Sequence, residues 1–398
     1  MKKILFICSI YKPNVGGVET VIDELSKTYI SRGIEVVVLT KRFPEDLQEY
    51  EEIEGIPIIR IERPKLFSDY AKAWETLKKY KDELKADVIH VVGTRRPMTY
   101  IALLLGKLWK IPVIINFSGG DILDKDDPEA VRIWEEGQGL VTESIQQADK
   151  YIAFSKSIIS LAHACIPNLP TIDLVYAGLY TKEIMSAPEY VTEKSYIVAV
   201  RRLYYSKGID LLISAFAQVK KKHPEYELYI VGDGPEMEAL QKHADECGVK
   251  DAVKFMGTQP LDHVYSLMKS SIAHVCPSRS EGGGTVNIEA QAAGTVSIGS
   301  TAGGIPEYIA DNETGLLFES EKVEDLTNKL LLVIENHEVR NRLVATAVSR
   351  AHDFDWEHIA DQYMKIYEES ISRYTYTPLV PWNEEVTKNF EELQHSWI

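Results

Sequence analysis

Cysteine is scarce in this chain of 398 residues: there are four, Cys8, Cys165, Cys247 and Cys276, and no C-x-x-C pair. That spacing excludes a ribbon-type zinc site and argues against a disulfide scaffold, so a reducing, cytoplasmic setting is expected. Basic charge is also short, with 44 Lys and Arg against 60 Asp and Glu and a formal net charge of −16. Binding along a nucleic-acid backbone needs a basic footprint, so no nucleic-acid partner is expected. Long hydrophobic runs are missing as well. Ile4–Ile10 spans seven residues and meets Lys12-Pro13 without a small-residue cleavage site, and TYIALLLGKLWKIPVII is interrupted by Lys107 and Lys110. A membrane span takes ~20 apolar residues, so no transmembrane segment is expected, and the first run reads as a buried strand rather than a secretory signal. The G-x-G-x-x-G fingerprint is absent, which disfavours a dinucleotide-dependent dehydrogenase. No D-x-D motif is convincingly placed, so no metal or other cofactor is expected.

What is present is the composition of a soluble globular protein, 45% hydrophobic and 26% charged, long enough for two or three domains. KILFICSI, EVVVLT, IPIIRI, ADVIHVV and IPVIINF read as strands, with helices such as GVETVIDELSKTYISRG, SDYAKAWETLKKYKDELK and TYIALLLGKLW between them. Short Val/Ile runs flanked by helices are the pattern of a parallel sheet covered on both faces. The pattern restarts with SYIVAV, YELYIVGDGP, VKFMG, SIAHVCP and TVSIGS. The expected architecture is therefore α/β, with two doubly wound Rossmann-like domains at residues 1–180 and 195–365 and a linker over Leu179–Lys194. The tail, 366–398, carries Trp382, Phe390 and Trp397, which suit packing. Ligands of such sheets sit beyond the carboxyl ends of the strands.

The strongest chemical signal is PSRSEGGGTVNIEAQAAG. Gly282, Gly283 and Gly284 lead into a helix, so the backbone can approach a ligand and the helix-start N–H groups can meet an anion. Between Thr285 and Glu289 the helix rises about 6 Å, which lets Glu281 and Glu289 address opposite ends of an elongated ligand such as a nucleotide sugar. The plainer alternative is a glycine-rich turn with an acidic residue complementing the helix dipole. In VAVRRLYYSKGIDLL, Arg202 and Lys207 lie in the loop after the second domain's first strand, where two cations would neutralise a departing pyrophosphate. Arg201 is the weaker choice, and a solvated surface pair is the alternative. Pro13-Asn14-Val15-Gly16-Gly17-Val18-Glu19 offers free amides at a helix start or forms a simple tight turn.

Taken together, P-x-x-G-G-x-E, R-L-x-x-x-K-G, V-G-D-G-P, E-G-x-G within E-x7-E, and G-G-I-P-E followed by TGLLF resemble glycosyltransferase family 4 over about residues 1–370. The resemblance implies the GT-B fold, two Rossmann-like domains facing a central cleft, and a retaining enzyme that uses a nucleotide sugar. It implies that Gly16 and Gly17 approach the transferred sugar or distal phosphate, or help place the acceptor. By the same resemblance Arg202 and Lys207 hold the pyrophosphate, and Glu281 binds hydroxyls of the transferred sugar. Gly283, Gly284, Thr285 and Val286 cap the phosphate, Glu289 takes the ribose hydroxyls, and the loop around Gly257 flanks the nucleobase. The tail is expected on the first domain.

The first half departs from the family pattern. Where T-x-H-G-x-D is common, aligning on Gly119 and Asp121 puts Ser118 in the histidine position, and serine cannot titrate near neutrality. His90, at the end of ADVIHVV, is either an acceptor-side residue with Ser118 and Asp121 or a structural histidine, the latter favoured. Ala177-Gly178 replaces the familiar N-G, and Gly283 stands where Phe is common. The resulting expectation is a retaining, metal-independent transferase that moves a hexose-type sugar from a nucleotide-diphosphate sugar to a hydroxyl acceptor. UDP is favoured over GDP or ADP. A nucleotide-sugar epimerase of the same fold, or a non-catalytic nucleotide-sugar-binding protein, are the alternatives.

Overall fold

The computed structural model describes all residues except 15, 63, 65–69, 96, 119–138 and 398. It divides into two compact units, one formed by Met1–Tyr176 with Trp356–Ile398 and the other by Ala177–Asp355. The first is built on an eight-stranded sheet of β1 (Lys3–Ile7), β2 (Glu35–Lys41), β3 (Tyr50–Ile53), β4 (Ile56–Ile61), β5 (Val88–Val92), β6 (Val113–Phe117), β7 (Lys150–Ala153) and β8 (Asp173–Leu174). Its order is β3-β4-β2-β1-β5-β6-β7-β8. Every pairing is parallel except that of β3 with β4. The central strands β5 and β6 are buried along their whole length and β1 from Ile4 onward, as Val/Ile-rich strands of a sheet covered on both faces are.

Strand β3 is an addition to the sequence reading. Its residues, Tyr50-Glu51-Glu52-Ile53, are too charged to announce a strand, and they can pair because they form the sheet's edge. The two-residue turn that joins β3 to β4 has positive φ at both Glu54 (53°) and Gly55 (78°), the conformation that suits hairpin twist.

The second unit holds a six-stranded parallel sheet of β9 (Tyr196–Val200), β10 (Glu227–Val231), β11 (Val253–Gly257), β12 (Ala273–Cys276), β13 (Val296–Ser300) and β14 (Gly315–Phe318). Its order is β11-β10-β9-β12-β13-β14. Helix Ile209–Lys222 buries Ile209, Leu212, Ile213, Phe216 and Val219, a stripe of helical period that packs with Ile197, Ala199, Leu228 and Ile230 in one core. In each sheet the chain winds outward in both directions from two adjacent central strands, β1 and β5 in the first unit and β9 and β12 in the second. Loops leaving the carboxyl ends of such a pair diverge and leave a crevice, which is where doubly wound sheets take ligands.

The boundaries differ from the sequence expectation at both junctions. Residues 179–194 are an integral part of the second unit, not a linker. Lys269 Nζ donates to the carbonyls of Met185 and Ala187 at 2.9 and 2.7 Å, Ser270 Oγ accepts from the Tyr190 amide, and the Tyr190 ring sits edge-on to Tyr196 and Tyr229. Helix Trp356–Ser372 crosses the expected domain end at residue 365 and belongs whole to the first unit, where Arg32 pairs with Glu357 and Asp361 and the Tyr29 hydroxyl donates to the Ala360 carbonyl. The chain ends in helix Glu384–Trp397, also in the first unit. Trp382 meets Tyr100 and Trp397 meets Trp109, with ring centroids 5.9 and 5.5 Å apart, while the Gln147 side chain both donates to and accepts from the Val380 backbone. Among the described residues no helix is long and apolar enough to cross a membrane.

Candidate functional site

In the second unit, Arg201 to Gly208 follow β9, and Pro277 to Thr285 follow β12. The two loops touch because Gly208 permits it. Its φ is 66°, and a Cβ there would lie 2.0 Å from the Pro277 carbonyl oxygen. This approach brings Lys207 to Glu281. Lys207 Nζ lies 3.1 Å from Glu281 Oε2 and 3.4 Å from the Ser280 carbonyl. The same carboxylate oxygen accepts from Ser278 Oγ at 3.3 Å and is paired with Arg201 Nη1 at 3.2 Å. Burial works to raise the Glu281 carboxyl, but the Arg201 guanidinium and the Lys207 ammonium hold it below the usual carboxylate range.

The second cation at Glu281 is therefore Arg201. Arg202, its neighbour, is exposed, and its guanidinium lies 5.3 Å over the Tyr204 ring. Strand β9 ends at Val200, so alternation of side chains no longer dictates which of two adjacent arginines turns inward. Arg201 also donates to Cys276 Sγ, and its buried Nε has no hydrogen-bond partner among the described residues. His274, fully buried in β12, has both ring nitrogens unpartnered among the described residues. Burial and then the Arg201 charge push it down to about 3, so it is neutral.

The glycine run leads into helix Val286–Ala292 with Thr285 at its start. Gly284 has φ 99°, and its carbonyl accepts from both the backbone amide and the side-chain Nδ2 of Asn287, each at 2.9 Å. Ser297 Oγ in turn donates to Asn287 Oδ1 at 2.9 Å. Asn287 and Ser297 are fully buried polar residues that brace the glycine turn from beneath, a support the sequence reading did not include. Where the family commonly has Phe, a Cβ at Gly283 would sit 3.4 Å from the hydroxyl of buried Tyr308. Glu289 is one turn into the helix, and burial pushes its carboxyl up to about 7 against a weaker pull from Arg201. Gly257 closes β11, two strands away from β9, with its carbonyl accepting from the Gly232 amide at 2.8 Å.

In the first unit, Gly16 caps helix Gly17–Ser31 in extended backbone, and a Cβ there would fall 2.6 Å from Glu19 Oε2. Glu19 belongs to the P-x-x-G-G-x-E pattern but was not among the expected site residues. Burial raises its carboxyl, opposed by its own backbone amide and by Arg95 in the loop after β5. Ser118 stands half-buried directly after β6. Asp121 and Gly119 lie outside the described residues.

His90 takes the structural alternative. It is fully buried within β5, Nδ1 is 2.7 Å from the Tyr367 hydroxyl, and Phe6, Tyr363 and Tyr367 surround the ring. Burial pushes it down to about 3. A side chain sealed in this way meets no acceptor. No cluster of three or more His, Cys, Asp or Glu suited to a metal ion occurs among the described residues.

Two family profiles match the chain. Residues 15–181 match the one described as Glycosyltransferase Family 4, and residues 181–350 match Glycosyl transferases group 1. An uncharacterized glycosyltransferase, MJ1178 of Methanocaldococcus jannaschii, is 26% identical over 366 residues, covering 91% of this chain and 97% of that protein. The sucrose-phosphate synthase structure from Thermosynechococcus elongatus superposes with a TM-score of 0.80 at 21% identity, covering 94% of this chain and all of the other. Anabaena HepE, solved in complex with UDP and glucose, gives 0.71 at 20% identity, with 93% of this chain and all of that one covered.

Proposed function

Because this chain belongs to the family 4 glycosyltransferases and has their GT-B fold, we propose that it is a retaining enzyme that moves a hexose-type sugar from a nucleotide-diphosphate sugar, UDP-linked by preference, to a hydroxyl acceptor. The observation that carries this reading is the meeting of Lys207 and Glu281 at the carboxyl ends of β9 and β12, where the ligand crevice of a doubly wound sheet lies. A diphosphate at this crevice would meet Lys207 and the exposed, mobile-stemmed Arg202. Glu281 would accept from sugar hydroxyls, and the braced amides of Gly283, Gly284, Thr285 and Val286 would cap phosphate oxygens. Glu289 would take the ribose hydroxyls, and the backbone beside Gly257 would flank the base. HepE, with UDP and glucose in its structure, supports a UDP-sugar as donor.

In this reading the leaving phosphate oxygen takes the acceptor hydroxyl's proton as the new glycosidic bond forms on the same face of the sugar. Lys207 and Arg202 then stabilise charge as it develops on the diphosphate, the work a divalent ion performs elsewhere. Gly16 and Gly17 are assigned to the sugar or acceptor side, with Ser118.

Titration calorimetry with UDP, GDP and ADP, followed by turnover assays of the matching sugar nucleotides with and without a chelator, tests this. Binding of one nucleoside diphosphate and chelator-insensitive transfer with retention at the anomeric carbon are expected. Absence of heat with all three would overturn the reading.

A further inference from the structure

Arg201 has no role in the function proposed above, yet it is the guanidinium the fold seals beneath the site. Its side chain is 9% exposed, and Nη1 holds Glu281 Oε2 while Nη2 is turned to Cys276 Sγ. Lys207 reaches the same Oε2, so one carboxylate faces two cations, and among the described residues the contacts of Arg201, Lys207 and Ser278 with Glu281 all fall on Oε2 and not on Oε1. One cation suffices to offset a carboxylate. The two differ in their freedom to leave. Both cations stand at similar distance from Oε2, but Arg201 is a planar fork that also holds Cys276 Sγ in β12, whereas Lys207 is a point charge on a flexible stem.

If Lys207 turns to an incoming diphosphate, Glu281 must not be left as an unpaired buried charge, because a partly desolvated carboxylate stripped of its cation is strongly destabilised. We propose that Arg201 is a positioning residue that retains Glu281 by Oε2, which releases Lys207 to the donor diphosphate and leaves Oε1 directed at the sugar. The inference rests on the donor reading above. It adds that the site carries a built-in exchange, in which Lys207 swaps a carboxylate for a phosphate and Arg201 keeps the carboxylate neutralised and in place. Without Arg201, Lys207 would remain bound to Glu281, and diphosphate affinity would fall although Arg201 touches no ligand.

A double-mutant cycle read by calorimetry with UDP tests this, with GDP or ADP used instead if one of them binds the wild-type protein. Arg201→Gln should weaken binding about tenfold, the scale of one coupled charge contact. In a Glu281→Gln background, which frees Lys207 by other means, adding Arg201→Gln should change affinity by less than about twofold. Arg201→Lys retains a cation against Glu281 and should restore affinity to within about threefold of wild type. Losses that multiply across the two backgrounds, or no recovery in a folded Arg201→Lys protein, would overturn the role of Arg201 while leaving the donor reading intact. A wild-type protein that binds none of the three nucleotides would overturn both.

Discussion

Arg60 in the first unit and Arg201 in the second both carry buried guanidiniums, but they keep different company. Arg60, fully buried in β4, donates Nη2 to the Lys12 carbonyl at 3.0 Å and Nη1 to the Gln48 carbonyl at 3.2 Å, with the Glu51 carboxylate at 2.9 Å. Two of those partners are backbone, and β4 lies two strands from the central pair of its sheet. Arg201 sits beside the central pair of the other sheet and holds side chains, Glu281 and Cys276. Burial of an arginine is thus no guide to function. Arg60 ties two backbone carbonyls and the Glu51 carboxylate together towards the edge of its sheet, whereas Arg201 holds a carboxylate at the carboxyl ends of the central strands, where the proposed donor would lie.

The contrast can be broken or sharpened experimentally. Lys207→Ala should have the largest effect, lowering kcat about 10²–10³-fold, the usual cost of one transition-state charge contact, with folding retained. Steady-state transfer assays on the variant would measure it, and full turnover would remove the phosphate clamp. Arg60→Leu should instead cost about 3 kcal/mol of stability, because the Lys12 and Gln48 carbonyls lose a charged donor inside the protein. Chemical denaturation should reveal that loss, and nucleotide affinity of the folded protein should not change. Arg202→Ala should raise the donor KM about tenfold with a smaller change in kcat, as befits an exposed cation recruited by the ligand. An unchanged KM would mean that Arg202 remains over Tyr204 when donor is bound.

A pH-dependent prediction concerns Glu289. Its folded-state carboxyl is raised from the ordinary 4.5 to about 7, so between those values the folded protein binds more protons than the unfolded chain. Wild-type stability is then lost as pH rises through this window and is constant above it. Glu289→Gln lacks the titration. Its Tm relative to wild type should climb between about pH 4.5 and 7 and level off beyond, and parallel melting curves at all pH values would remove the buried-acid assignment.

The central strands and their covering helices were legible in the sequence because each rests on a local period. Val88–Val92 and Val113–Phe117 are Val/Ile-rich runs each broken by one polar residue, His90 and Asn116, and the apolar face of Ile209–Lys222 repeats every 3.6 residues. The glycine run before Val286 and the presence of Lys207 in the loop after β9 were legible for the same reason. The edge strand Tyr50–Ile53 was not, since its charges are tolerated only by its place at the border of a sheet. Nor was the terminal helix Glu384–Trp397, held by Trp382 just before it and by Trp397 against Tyr100 and Trp109 far away in the chain.

The amino-acid order alone thus determined two doubly wound, mainly parallel sheets and a glycine-rich helix start flanked by two glutamates. Each of those follows from neighbours within a few residues. Only the tertiary structure decided that Arg201 rather than Arg202 turns to Glu281, that His90 is sealed by Tyr363 and Tyr367, and that helix Trp356–Ser372 belongs with the first unit. Those choices depend on partners tens to hundreds of residues distant, and the free energy of a buried charge or ring is set by which of them the fold brings into contact.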